Sequence, residues 1–288
     1  MGGLLGRCTF PPPGTPLVVG VSGGADSLAL LVLATAAGCE VTAVHVDHGL
    51  RPGSADEADV VAAAAERCGA AFRAERVDVP EGPDLEARAR AARHAVLGPG
   101  AATGHTLDDR AETVLVNLLR GAGTTGLGAL RPGHRHPILG LRRAETEALC
   151  AAEGLTPVED PSNDDPRFLR NRVRHEVLPL LADLAGRDLV PVLARQAGLL
   201  ADDADLIAAL ADELDPTDAP ALAAAPTALA RAAIRSWLRP TADGQPPSAA
   251  SVERVLAVAR GEAVATEVAG GWRVQRSAGR LALVPRPT

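Results

Sequence analysis

The segment Val18–Ser27, VVGVSGGADS, has the residue types and spacing of an anion-binding loop. An apolar run ends in paired glycines, and an aspartate and a serine then open a second apolar stretch. This order predicts a buried strand, a turn and a helix whose backbone N–H groups point at a bound phosphate. A plain strand–helix turn would use the same glycine pair. We expect the segment to bind the phosphates of a nucleotide through six residues: Ser22, Gly23, Gly24, Ala25, Asp26 and Ser27.

Three further residues stand where the second apolar run, Val41–Val46, gives way to HVDHGLRPGS. His45, Asp47 and His48 follow one another closely at the carboxyl end of a predicted strand. Such residues can hold a metal ion, although no third, separated ligand is evident. The ordinary alternative is a loop that lines the nucleotide, and we expect this second role.

Acidic residues open the helix in TGHTLDDRAET. Asp109 and Glu112 share a helical face, and Gly104 and His105 precede them after a short strand. Acidic residues at a helix start commonly complement its dipole. Beside a phosphate loop they could instead hold Mg²⁺, together with Asp26, or grip the ammonium group of a substrate. Gly104 and His105 are predicted to contact ATP.

A run of arginines follows in DPRFLRNRVRHE, with four of them in eight positions: Arg167, Arg170, Arg172 and Arg174. A solvated helical face is the usual explanation for such a run. The interleaved Asn171 favours an ordered loop, and guanidinium forks suit phosphate oxygens. We expect contact with the phosphates of ATP, of RNA, or of both. Arg120 opens a glycine-rich loop after the acidic helix and is a further candidate for substrate contact.

Composition limits the function classes. The chain has 288 residues, 47% of them hydrophobic, and all 29 basic residues are arginine, which excludes a lysine nucleophile. The net charge of -7 and the 2% aromatic content argue against a general nucleic-acid binder. Four cysteines occur without a C-x-x-C pair, which disfavours a zinc or iron–sulfur site. Neither a signal peptide nor a membrane-spanning run is visible, so we expect a cytoplasmic protein.

Strand-like and helix-like runs alternate through the first half of the chain. This alternation predicts an α/β fold, a Rossmann-like parallel sheet with helices on both faces. Ligands of such sheets bind where the carboxyl ends of the strands meet, so the three loops should converge. We expect a catalytic domain over 1–185, a helical linker over 186–220 and a small, mainly helical domain over 221–288. Helical periodicity spans 174–212, and the acidic, Pro-rich stretch 212–226 is predicted to be a linker.

Four segments together resemble the tRNA(Ile)-lysidine synthetase family of PP-loop ATP pyrophosphatases: SGGADS, HVDHGLR, TGHxxDDxxET with LLRGxGxxGL, and EDPSN with RNRVRHEVLP. The strong likeness extends from about residue 15 to residue 180. The chain resembles a short form that ends before the last domain of longer members. The family often has His at the place of Thr106 and Gln at that of Arg110, and we expect both changes to be tolerated.

The resemblance implies a two-step ligase reaction. ATP adenylates C2 of the wobble cytidine in an isoleucine tRNA with the anticodon CAU, and free lysine then displaces AMP. On this basis Asp26, Asp109, Glu112 and Arg172 are the expected catalytic residues. Lysine and tRNA would contact Asp109, Glu112, Arg120, Arg170, Asn171 and Arg174. Mg²⁺ and ATP are the expected cofactors, and a homodimer is a possible assembly.

Two other functions remain open at this point. A related PP-loop enzyme could deliver sulfur to tRNA, although such chemistry usually needs paired or catalytic cysteines. A nonenzymatic nucleotide-binding protein would keep the glycine loop but would not need the acidic and arginine clusters.

Overall fold

The computed structural model describes residues 1–47, 49, 54–77, 85–158, 160–241 and 246–286. The chain forms two compact units, Met1–Leu200 and Ala201–Thr288. No helix in the described part of the chain is both long enough and apolar enough to cross a membrane.

The first unit is built on a parallel sheet, as the alternating pattern predicts. Its strands lie in the order β3-β2-β1-β4. Their bounds are β1 (Pro16–Gly20), β2 (Glu40–Asp47), β3 (Ala71–Arg76) and β4 (Ala102–Thr103). Because all pairs are parallel, the loops after β1, β2 and β4 leave the same edge of the sheet.

Helices cover both faces of this sheet. The helices described up to residue 211 are α1 (Gly2–Leu5), α2 (Ala25–Ala36), α3 (Ser54–Cys68), α4 (Leu85–Leu97), α5 (Leu107–Leu119), α6 (Thr124–Leu127), α7 (Arg143–Ala152), α8 (Leu169–Arg172), α9 (Leu178–Ala185) and α10 (Val190–Ala211). Val19 and Val41 pack with the buried leucines of α2 on one face. Val44 packs with Leu97 of α4 on the other. The predicted α/β fold is confirmed.

The structure divides the predicted helical stretch 174–212 into several pieces. A five-residue π-helix, Val173–Val177, joins α8 to α9. Gly186 ends α9 with φ +63, a left-handed conformation that glycine adopts without a side-chain clash. The long α10 begins only at Val190, and the division between the two units falls within it.

Helix α7 is an element that the sequence pattern did not reveal. Its sequence RAETEALCAA is rich in alanine and amphipathic, a helical signal that the sequence analysis left unused. Leu149 and Cys150 nevertheless bury it against the core that contains α2. The first residue of this helix, Arg143, lies in the site described below.

The second unit combines helices with a small antiparallel sheet. The helices are α11 (Ala219–Ala224), α12 (Thr227–Leu238) and α13 (Ala249–Arg260), and the strands are β5 (Ala265–Val268), β6 (Trp272–Ser277) and β7 (Arg280–Pro285). The sheet has the order β5-β6-β7. Helix α11 lies in the stretch 212–226 that we expected to be a linker. Asp218 caps it, and Ala219 and Leu222 are fully buried, so this part belongs to the core of the second unit.

Candidate active site

The loop Ser22–Ser27, here called the phosphate loop, joins β1 to α2. Gly23 has φ +89, and its carbonyl accepts a hydrogen bond of 3.0 Å from the backbone N–H of Val158. The Ser27 hydroxyl accepts from the N–H of Ser22 at 3.1 Å and donates to the carbonyl of Gly24 at 2.8 Å. Gly24 is the N-cap of α2 and has no side chain with which to cap it. The first turn of α2 can therefore donate its N–H groups to an anion.

The loop after β4 packs directly on this turn. A Cβ atom on Gly104 would lie 2.7 Å from the backbone oxygen and 2.8 Å from the backbone carbon of Asp26. Such distances allow no side chain at Gly104. The loops after β1 and β4 thus meet, as the parallel strand order predicts.

His45 brings the end of β2 into the same region. Its side chain is buried, and its Nδ1 lies 3.0 Å from the carbonyl oxygen of Val21. Nε2 is buried and has no hydrogen-bond partner in the described part of the chain. Asp47 accepts a bond of 2.8 Å from the N–H of Gly49. His48 lies outside the described residues.

No metal site built from protein side chains is found among the described residues, and His48, one of the residues suggested for such a site, lies outside them. Across residues 1–47, 49, 54–77, 85–158, 160–241 and 246–286, no three His, Cys, Asp or Glu side chains are grouped to hold an ion. His105 instead pairs with a hydroxyl and a second imidazole. Thr103 Oγ1 lies 2.8 Å from Nδ1 of His105 and 3.0 Å from Nδ1 of His136, and the two rings meet edge to face.

The start of α5 fixes Asp109. Thr106 is the N-cap, and its backbone N–H and its hydroxyl donate to Asp109 Oδ2 at 2.7 and 2.9 Å. One turn later Glu112 is fully buried. Thr106 therefore positions a candidate catalytic carboxylate, although the sequence marked it only as a departure from the family pattern. We call Asp109 and Glu112 the carboxylate pair.

Arg143, Arg170 and Arg174 surround the carboxylate pair. Glu112 accepts from Arg174 Nε at 2.7 Å and from Arg170 Nε at 2.8 Å. It also accepts from Arg143 at 3.2 Å. Asp109 Oδ1 accepts from Arg170 at 3.0 Å and from Arg143 at 3.2 Å. A buried carboxylate needs such partners, because burial without them disfavours its charge.

Asp26 links this network to the phosphate loop. Its carboxylate lies 3.5 Å from Arg143 Nε and accepts a hydrogen bond from the Thr146 hydroxyl. Burial raises the pKa of Asp26 from 3.8 to about 6, and the negative charge of Asp109 adds to this rise. Burial also acts on Asp109, but Arg170 and Arg143 hold the pKa of that carboxyl below its ordinary value. The surroundings of the two carboxyl groups thus shift their pKa values in opposite directions.

The arginine run of the sequence divides into two sets. Arg170 and Arg174 turn inward to the carboxylate pair. Arg172 is more than half exposed and pairs with Glu176 at 3.0 Å, and Arg167 pairs with Asp165 at the surface. The predicted site residues Arg172 and Arg120 are therefore not brought to the carboxylate pair. Asn171 is buried and donates to the Asp165 carbonyl at 2.9 Å, which orders this segment.

Arg143 and Thr146 are the site residues that sequence reasoning missed. Both lie on α7, which the sequence analysis did not predict. A requirement for countercharge was the available signal, since two acidic residues on a buried helical face need cations nearby. This requirement predicts a nearby arginine but does not identify which arginine it is.

The four cysteines do not form a reactive group. All are free, and burial raises the pKa of each thiol. The shift reaches about 11 for Cys8 and for Cys150. A thiol of this kind is a poor nucleophile near neutral pH, because the thiolate is the reactive form.

The Glu112→Gln variant tests the buried charge network. Loss of this carboxylate leaves three guanidinium groups facing fewer negative charges, and we expect the free energy of unfolding to fall by about 3 kcal/mol. Urea denaturation followed by circular dichroism measures the change. Glu176→Gln is the matched control. Its free energy of unfolding should stay close to that of wild type, because the ion pair between Glu176 and Arg172 is exposed. Equal effects of the two variants would contradict the arrangement.

The raised pKa of Asp26 predicts a pH dependence of stability. The folded state favours protonated Asp26, so this contribution is complete below about pH 4 and is lost as the pH rises through about 6. Between pH 4 and 7 we expect the unfolding free energy of wild type, minus that of Asp26→Asn, to fall by roughly 2 kcal/mol. Asp203→Asn, at an exposed position on α10, controls for the amide substitution. A difference that rises with pH would refute the predicted sign.

Comparison with known families assigns both parts of the chain. Residues 8–181 match the family described as "PP-loop domain", and residues 218–282 match the "TilS substrate binding domain". Among solved structures, the chain resembles the U34-tRNA thiolase NcsA from Methanococcus maripaludis, with TM-score 0.56 and 18% identity. That likeness covers 69% of this chain and 77% of the other, and it shows the shared fold.

Sequence relatives give the family itself. The chain is 46% identical over 245 residues to the tRNA(Ile)-lysidine synthase of Nocardia farcinica, covering 80% of this chain and 77% of that one. It is 42% identical to the enzyme of the same name from Rhodococcus erythropolis, covering 78% and 74% of the two chains. With its phosphate loop and both domains matched, the chain belongs to the tRNA(Ile)-lysidine synthase family of carbon–nitrogen ligases.

Proposed function

We propose that this chain uses ATP to join free L-lysine to C2 of the wobble cytidine in isoleucine tRNA with the anticodon CAU. The observation that carries the proposal is the meeting of the phosphate loop with the carboxylate pair through Asp26 and Arg143. This arrangement brings an anion-binding turn and a set of buried carboxylates into one site, in a chain of the matching family.

The first chemical step is adenylation. The C2 oxygen of the cytidine attacks the α-phosphorus of ATP, the bond from that phosphorus to the bridging oxygen breaks, and pyrophosphate leaves. The N–H groups of Gly24, Ala25 and Asp26 and the hydroxyl of Ser22 would hold the phosphates. Positioned donors of this kind stabilise the charge that gathers on the leaving group.

Mg²⁺ fits one of the two carboxylates that the sequence suggested for it. Asp26 keeps about a quarter of its side chain exposed, 24%, at the edge of the phosphate loop, and carboxylate oxygen is a ligand that Mg²⁺ prefers. Asp109 fits less well, since its side chain is more deeply buried, with 11% exposed. When bound, Mg²⁺ supplies charge neutralisation on the phosphates.

The histidines and glycines around the loop would complete the nucleotide site. His45 Nε2 has no partner in the described part of the chain and suits a hydrogen bond to the nucleotide. Gly104 allows the β4 loop to approach the phosphate loop, and His105 stands next to it. Asp47 and His48 follow His45 in sequence and remain proposed contacts.

The second step is attack by lysine. Its ε-amino nitrogen bonds to C2, the bond from C2 to the adenylate oxygen breaks, and AMP leaves. The amine must lose a proton for this attack, and a carboxylate of the site is the acceptor. Asp26, Asp109 and Glu112 are the three acidic groups that the structure joins in one network.

Contact with tRNA would use groups outside the buried network. Arg167 and Arg172 are exposed at the surface of their segment, where their guanidinium groups suit RNA phosphates. Arg120, at the end of α5, is exposed too. The second unit carries the family's substrate-binding match, and we assign it to recognition of the tRNA. A homodimer and a cytoplasmic location remain predictions.

Lysine transfer tests the proposal. Purified protein is incubated with Mg-ATP, labelled lysine and one of two isoleucine tRNA transcripts, with C or with U at the wobble position. We expect label only on the C-bearing transcript, together with AMP and pyrophosphate. Pyrophosphate release without lysine transfer would contradict the ligase and point to another nucleophile, sulfur first among them.

A further inference from the structure

The carboxylates and guanidinium groups that pair with one another around Glu112 and Asp26 balance in charge, so this set of side chains offers no net charge to a cation. Asp26, Asp109 and Glu112 provide three negative charges. Arg143, Arg170 and Arg174 provide three positive ones. A lysine ammonium would be a fourth cation among them. Like charges so close together repel, so one guanidinium must move before the amine can be held.

Arg143 is the arginine best placed to move. It contacts both ends of the network, with Nε 3.5 Å from Asp26 and its two terminal nitrogens 3.2 Å from Glu112 and Asp109. Among the described residues, the ion pairs of Arg170 and Arg174 are with the carboxylate pair only. The bonds of Arg143 to the pair are longer than the 2.7 and 2.8 Å Nε bonds that hold Glu112.

The backbone of Arg143 is fixed. Its N–H donates to Asp108 at 2.8 Å, and its carbonyl oxygen lies 2.7 Å from the Thr146 hydroxyl oxygen. That same hydroxyl is bonded to Asp26 at the phosphate loop. The guanidinium of Arg143 therefore stands on a backbone that is tied to the loop where phosphates would bind.

We propose that Arg143 occupies the position of the lysine ammonium until nucleotide phosphates draw it to the phosphate loop, so that ATP binds before lysine. The inference rests on the proposed function and deepens it, because it names the order of the two substrates. Phosphates bring several negative charges beside Asp26, and a guanidinium binds phosphate oxygens strongly and in pairs. Its withdrawal leaves the three carboxylates with one uncompensated charge, which a lysine ammonium then satisfies.

A positioning role of this kind predicts a coupling between two ligands. If nucleotide raises the affinity for lysine, lysine must raise the affinity for nucleotide by the same factor. Substitution of a residue that only stabilised the fold could change the affinity for each ligand, but it would not change the effect of one ligand on the affinity for the other.

The test is equilibrium dialysis of labelled lysine against the full chain, with CAU tRNA in every arm. Each variant is measured with and without Mg²⁺ and a non-hydrolysable ATP analogue. In wild type we expect the analogue to tighten lysine binding about tenfold or more. In Arg143→Met, lysine should bind equally well in both conditions, because the competing cation is gone. Arg143→Lys, which keeps the charge, should restore part of the coupling.

Arg142→Met is the matched control. Arg142 neighbours Arg143 but pairs with Asp108 and Asp188, so its loss should leave the coupling at the wild-type level. Circular dichroism checks that each variant folds. Should Arg143→Met fail to fold, Arg143→Lys takes its place, and a coupling in that variant equal to that of wild type would contradict the role of the Arg143 guanidinium.

Two outcomes overturn the inference and differ in what they mean. If the analogue does not change the affinity of wild type for lysine, the proposed displacement of Arg143 is refuted and the proposed ligase function is not affected. No lysine binding in any arm, while the tRNA and the analogue bind, would refute the inference together with the proposed function.

Discussion

The neutralisation of a fully buried glutamate is the constraint on which the rest of the site depends. Glu112 lies inside the protein and is held by Arg143, Arg170 and Arg174. A buried charge without partners would cost several kcal/mol, so the elements that carry these arginines must close on α5. The contacts of Asp109 and Asp26 follow from the same closure, because Arg143 and Arg170 also bind Asp109, and Arg143 reaches Asp26.

The fold places each partner at the end of an element. Helix α2 begins at the phosphate loop, α5 begins at the capping Thr106, and Arg143 is the first residue of α7. Arg174 lies in the π-helix, a form that often marks functional sites. The backbone N–H groups at the start of a helix have no partner within the helix and can bind an anion. Side chains from the same element ends fix the elements to one another.

Much of this could be predicted from the sequence. The parallel sheet, the phosphate loop and the acidic face of α5 each have a local pattern, and their order fixes which edge of the sheet they share. The pairing of Glu112 with Arg143 could not be found in this way, since the two residues are 31 positions apart and no local pattern links them. The sequence also could not distinguish the buried arginines of the run from the exposed ones. Arg170 pairs with the buried Glu112, whereas Arg172, two positions later, pairs with a glutamate at the surface.

A crystal structure of the chain with Mg²⁺ and a non-hydrolysable ATP analogue tests the central claim most directly. The claim is that one network of charges joins the nucleotide site to the carboxylate pair. We expect the phosphates on the N–H groups of Gly24, Ala25 and Asp26, with the Arg143 guanidinium turned towards them and Glu112 still held by Arg170 and Arg174. Phosphates bound away from the loop, with the contacts of Arg143 unchanged, would contradict the account.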